Sequence, residues 1–135
     1  MKIAVDFDGT IVRHCYPYIG KEIPFAVDTL LKLAEDGHRL ILWTVRSGEQ
    51  LEEAVHWCEK RGLHFYAVNS EHPDGALFSD QKNKSPKIKA DIYIDDRNLG
   101  GLPEWGEIYE TVSQKVAGRE KKSRAPRWLR NLLKG

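Results

Sequence analysis

Short, almost wholly apolar runs alternate along the chain with longer stretches in which apolar residues recur every three or four positions. Residues 2–7 (Lys-Ile-Ala-Val-Asp-Phe) are apolar, rich in β-branched side chains and end in acid, the pattern of a strand buried on both faces. Leu40 to Thr44, Phe65 to Val68 and Ala90 to Ile94 repeat it. Between the first two runs, Val27, Leu30, Leu31 and Ala34 form one apolar helical face within a helix expected over 24–36. Pro24 suits its first turn and Gly37 supplies its stop. A second helix opens at Ser47-Gly48-Glu49-Gln50, which has the form of a capping box with Ser47 as N-cap and Gln50 three residues on. Its apolar face is Leu51, Ala54, Val55 and Cys58, and Gly62 ends it.

The remaining stretches are punctuated by turn residues. Gly9, Pro17, Gly20 and Pro24 mark a loop after the first strand. Residues 69–86 are polar with prolines and a glycine, a long loop. Gly100-Gly101 precedes a short element around Trp105 to Val116, and there is no internal repeat. Strands separated by helices predict a Rossmann-like α/β domain, three layers around a central parallel sheet. Ligands bind such sheets beyond the carboxyl ends of the strands. Three of the four expected strands end there in chemically useful groups: Asp6 with Asp8, Thr44, and Asp95 with Asp96.

Composition adds bounds. A chain of 135 residues fits one domain, and no apolar run approaches the roughly 20 residues of a membrane span. A strand-like start without a visible signal peptide makes the cytoplasm the expected location. The 2 cysteines, Cys15 and Cys58, give neither a disulfide framework nor metal-ligand spacing. The net charge of +1 conceals an asymmetry: residues 119–135 carry +6 and residues 1–118 carry −5. The expected organisation is therefore a catalytic domain over 1–118 and a basic amphipathic tail over 119–135.

In an extended strand end Asp6 and Asp8 point the same way. Gly9 lets the backbone turn there and approach a ligand. With Asp95 and Asp96 on another strand end, four carboxylates converge, an arrangement that a hard, oxygen-liganded divalent cation relieves.

These residues resemble the haloacid dehalogenase-like superfamily of phosphohydrolases. Asp6, Asp8 and Thr10 match its first motif, Thr44 its second, a lysine before the last strand its third, and Asp95 with Asp96 its fourth. The match spans residues 1–98, with closer similarity to small bacterial members carrying Asp-Asp-Arg-Asn, here Asp95 to Asn98. The resemblance implies a Mg²⁺-dependent phosphatase acting on a phosphomonoester. Asp6 would be the nucleophile, forming an aspartyl-phosphate, and Asp8 the general acid and then base. Mg²⁺ would be held by Asp6, the Asp8 carbonyl, Asp95 and Asp96. The phosphate would lie on Gly9, the Thr44 hydroxyl, the Val45 amide, Arg46 and the motif lysine. Lys87 is the first choice for that lysine, with Lys89 and Lys84 as alternatives. The gaps after Asp8 and after Val68 hold no cap domain, so closure falls to loops, a second subunit or the size of the substrate.

Several residues have plainer readings. His14, His38, His56, His64 and His72 lack ligand spacing and are expected as surface or packing residues. Cys15 stands in an acidic body that disfavours a thiolate. Tyr16 and Tyr18 suit either stacking on a base or sugar, or packing of the loop on itself. The tail, with Trp128, Leu129, Leu132 and Leu133 on one helical side, suits an anionic membrane, a nucleic-acid backbone or docking on an acidic surface of its own or another subunit, and its plainer reading is a disordered or intramolecularly docked tail. Phosphotransfer to another acceptor, dehalogenation and a non-catalytic Mg²⁺- and phosphate-binding module are the rival functions. A receiver domain would place its acidic pair after the first strand, the reverse of the order here.

Overall fold

In a computed structural model, residues 1–73, 87–124 and Trp128 are described. The chain forms two compact units, Met1–Leu102 and Pro103–Gly135.

The first unit is a parallel sheet with helical crossovers. Its elements run β1 (Lys2–Val5), α1 (Ala26–Glu35), β2 (Arg39–Leu42), α2 (Gly48–Glu59), β3 (Ala67–Val68) and β4 (Ile92–Ile94). The strand order is β3-β2-β1-β4. The chain therefore steps outward from β1 to β3, then returns to the other side of β1. Ile3, Val5, Leu40 and Leu42 are buried, and so are Ala4, Ile41 and Ala67, which are level with one another and cluster with Ile88. Burial of successive residues on both faces is why these runs are continuously apolar.

The strands are shorter than the apolar runs. Phe65 and Tyr66 precede β3, and Ala90 and Asp91 precede β4. Backbone bonds continue the ladders beyond the strands, as from the Tyr66 amide to the Leu40 carbonyl at 2.8 Å. In α1 the buried face is Ala26, Val27, Thr29, Leu30 and Leu33, while Ala34 is exposed. The expected face is thus rotated by about one residue, which buries the larger Leu33 in place of Ala34. Phe25 is the N-cap, so Pro24 stands just outside the helix. Ser47 is the N-cap of α2, but its side chain makes no capping bond and the capping box does not form. Ala54 and Cys58 are buried in α2, and Trp57 meets the buried Phe7 ring edge-on with centroids 5.8 Å apart. Both helices end as expected at Gly37 and Gly62, in crossed backbone bonds from residues 37 and 38 and from residues 62 and 63.

The second unit contains α3 (Trp105–Arg124), with Trp105, Ile108 and Val112 buried at helical spacing. It is longer than the short element expected, and it runs through position 118, where the sequence suggested a division. Beyond it only Trp128 is described, with its side chain exposed. Leu129, Leu132 and Leu133 lie outside the described residues. No described helix is long and apolar enough to cross a membrane.

Candidate functional site

The return of the chain from β3 to β4 creates a topological switch point between β1 and β4, the place where such sheets open a crevice. Val5 is level with Ile94, and the Asp6 amide donates to the Ile94 carbonyl at 3.0 Å. The next residues on the two strands, Asp6 and Asp95, are thereby brought side by side. One carboxylate oxygen each from Asp6, Asp95 and Asp96 lie within 4.8 Å of one another. Thr10, wholly buried, ties the group together. Its hydroxyl lies 3.4 Å from oxygens of both Asp6 and Asp96, and it accepts the Asp96 amide at 3.1 Å.

Three converging carboxylates repel in this setting. Burial first, and then the charge of Asp95, push Asp6 up from 3.8 to about 7. Burial also pushes Asp96 upward, but hydrogen bonds to His14, Asp95 and Asp6 and the charge of His14 together hold it below the usual carboxylate value. His14 is the site residue that sequence reasoning missed. Its Nε2 is 2.8 Å from Asp96 Oδ2, although most of the imidazole is exposed. Lone histidines carry no spacing signal; the only hint was its position four residues beyond Thr10 on the loop leaving β1. Gly9 makes room for the pair. It has φ 83°, and a Cβ there would come 2.2 Å from His14 Nε2 and 2.4 Å from Asp96 Oδ2.

Asp8 is turned away from this cluster. The chain leaves extended geometry after Asp6, as the amides of Thr10, Ile11 and Val12 all donate to the Phe7 carbonyl. Strand alternation therefore does not carry Asp8 to the Asp6 side. Its two oxygens accept instead from Arg46 Nε and Nη2, both at 2.7 Å.

Arg46 is neither a surface residue nor a phosphate contact in this arrangement. It is 1% exposed, and its other donors reach the carbonyls of Tyr18 (2.8 Å), Pro17 (3.3 Å) and Gln50 (3.3 Å). All five N–H groups of the guanidinium are thus used within the protein. The Asp8 hydrogen bond raises the Arg46 pKa above its ordinary value despite burial.

Thr44 stands beyond β2, on the other side of β1 from the acidic pair. Its amide donates to Asn69 Oδ1 at 2.8 Å, and its hydroxyl accepts the Arg46 amide at 3.1 Å, which leaves the hydroxyl its own proton to give. Val45 projects almost fully into solvent. The Lys87 ammonium lies 5.1 Å over the Tyr93 ring, and the Lys89 amide donates to Glu71. Lys84 lies outside the described residues. Cys15 is exposed, whereas Cys58 is buried and its thiol is pushed up to about 12 by that burial.

No protein-family model and no curated protein matches the chain. Among solved structures it is similar to a conserved protein coded by a locus of Bacteroides thetaiotaomicron, with 58% identity and a TM-score of 0.78. That match covers 85% of this chain and 91% of the other.

Proposed function

The chain belongs to the family of that conserved Bacteroides thetaiotaomicron protein, and for the site it builds we propose a divalent-cation-dependent phosphomonoesterase of the haloacid dehalogenase-like type. One observation carries the reading. Asp6, Asp95 and Asp96 converge within 4.8 Å at the switch point of a parallel sheet.

In this reading Asp6 attacks phosphorus, the bond from phosphorus to the leaving oxygen breaks, and water then cleaves the aspartyl-phosphate. An oxygen-only donor set, with a nucleophile whose ionisation is opposed by its neighbours, fits Mg²⁺; Asp6, the Asp8 carbonyl, Asp95 and Asp96 would hold it, and it would supply charge neutralisation between carboxylate and phosphoryl group. The Thr44 hydroxyl and Val45 amide are proposed to receive phosphate oxygens. Gly9 keeps the approach open. Lys87 is proposed as the countercharge, on a long exposed stem whose ammonium lies over Tyr93. Asp8 is proposed to give the leaving oxygen its proton and to take one from water. For that it must part from Arg46 when substrate binds, because Arg46 occupies both of its oxygens.

The same Asp8–Arg46 pair favours a second reading, a module that binds Mg²⁺ and phosphate without turnover. Inorganic phosphate release from a phosphomonoester panel separates the two. The phosphatase reading predicts Mg²⁺-dependent release that EDTA abolishes and added Mg²⁺ restores. Mg²⁺ binding without turnover across the panel supports the module. Full activity in EDTA contradicts the metal-dependent mechanism.

A further inference from the structure

The large hydrophobic side chains most exposed in the first unit are Tyr16, Tyr18, Phe25, Val45 and Leu99. Scattered exposed apolar residues need no explanation, but these share one end of the sheet. Tyr16 and Tyr18 lie on the loop leaving β1, Val45 follows β2, and Leu99 follows β4. Phe25 opens α1, and a helix that returns the chain to the start of the next parallel strand begins at the strands' carboxyl end. All five therefore stand at the end of the sheet that carries Asp6, Asp95 and Asp96.

Tyr16 is held there. Its ring lies over the buried Arg46 guanidinium, 5.1 Å from ring centroid to Cζ, and the same guanidinium lies over the buried Phe7 ring at 5.2 Å. A stack thus runs from the core outward and ends in a tyrosine that remains 60% exposed. Its loop is fastened on both sides. Arg46 takes the Pro17 and Tyr18 carbonyls, the Arg13 amide donates to the Lys21 carbonyl at 2.8 Å, and the Ile23 amide donates to the Ile11 carbonyl at 2.9 Å. Two residues before Tyr16 on the same loop, His14 touches Asp96 of the acidic cluster. The loop does not bury its aromatics in itself. It presents a ring already fixed in place, which lowers the entropic cost of stacking a planar group on it.

We propose that Tyr16 is a specificity-determining residue, stacking the planar aromatic portion of a small phosphomonoester whose phosphate lies at Asp6. This inference rests on the phosphatase reading for the position of the phosphate. A nucleobase and an aryl group share the chemistry, and substrate pairs with matched leaving groups distinguish them. Adenosine 5′-monophosphate is compared with ribose 5-phosphate, and 2-phenylethyl phosphate with ethyl phosphate.

Wild-type kcat/KM should favour the ring-bearing member of at least one pair by about tenfold, the scale of one base–aromatic stack. Tyr16→Ala should remove most of that preference by raising KM, and Tyr16→Phe should restore it. A wild-type ratio near one in both pairs overturns the proposal, as does a Tyr16→Ala loss equal on both members. If Tyr16→Ala fails to fold, Tyr16→Leu, which keeps an apolar side chain but has no ring, carries the same test. Fluorescence titration with the same ligands reads binding without turnover. Inactive protein whose tighter binding of the ring-bearing ligand is lost in Tyr16→Ala overturns the phosphatase reading and retains the role of Tyr16; inactive protein without that preference overturns both.

Discussion

Asp6 sits where burial and two neighbouring carboxylates all oppose its negative charge, and this has a consequence for stability. Its carboxyl is raised from 3.8 to about 7, first by burial and then by Asp95. A carboxyl with a higher pKa folded than unfolded binds more protons in the folded state. Its contribution is fully present below about pH 3.8 and is lost as the pH rises through about 7. Metal-free protein should therefore have a thermal midpoint that falls across that window, and Asp6→Asn should flatten the fall. An identical fall in Asp6→Asn contradicts the charge argument. Mg²⁺ should raise the midpoint most at the upper end of the window, where the folded state gains most from a bound cation. At this scale the acidic residues were legible in the sequence, because Asp at a strand end is a readable signal. The environments of Asp8 and His14 were not. Each depends on a partner far along the chain, Arg46 at 38 residues and Asp96 at 82 residues, and neither pairing has a local pattern.

At the scale of elements, the expected capping box does not form, and Arg46 ties the start of α2 to its surroundings by donating to a carbonyl. It joins the first turn of α2 through the Gln50 carbonyl, the β1 turn through Asp8 and the aromatic loop through Pro17 and Tyr18. Its side chain is fully buried and Asp8 is 13% exposed, so removing the cation leaves a carboxylate without its partner. Arg46→Met should cost about 3–5 kcal/mol in urea denaturation. It should also speed tryptic cleavage after Arg13 and Lys21. A loss under about 1 kcal/mol, the worth of an exposed pair, would show that the pair is not a structural tie. The elements themselves were largely visible in advance. Apolar runs gave four strands, and both crossover helices end at the glycines that marked them. What the pattern blurred was extent. Apolar residues continue beyond the ladder at β3 and β4, and a helical face with Leu31, Leu33 and Ala34 in sequence can be drawn in two rotations. Only the larger buried Leu33 decides between them.

At the scale of the whole molecule, the strand order β3-β2-β1-β4 explains why the motifs meet. Asp6, Thr44 and the Asp95–Asp96 pair are far apart in sequence but follow three neighbouring strands, with Asp6 on the central one. No local signal specifies that order. It emerges from the return crossover, and with it the reason that Thr44 and the acidic pair flank Asp6 from opposite sides. The −5 charge of residues 1–118 includes this cluster, so a cation would relieve the body's repulsion where it is most concentrated. The exposed rim of Tyr16, Tyr18, Phe25, Val45 and Leu99 belongs to the same end of the sheet, and under the phosphatase proposal it is the surface a substrate would contact. The proposed aspartyl-phosphate is tested most directly by chemical trapping of the protein with a phosphomonoester. The protein is quenched in acid with a phosphomonoester and Mg²⁺, reduced with borohydride and mapped by peptide mass. The aspartyl-phosphate mechanism predicts homoserine at position 6 alone, dependent on substrate and absent in Asp6→Asn. Turnover that persists in Asp6→Asn, or a phosphorylated residue elsewhere with Asp6 unmodified, would contradict it.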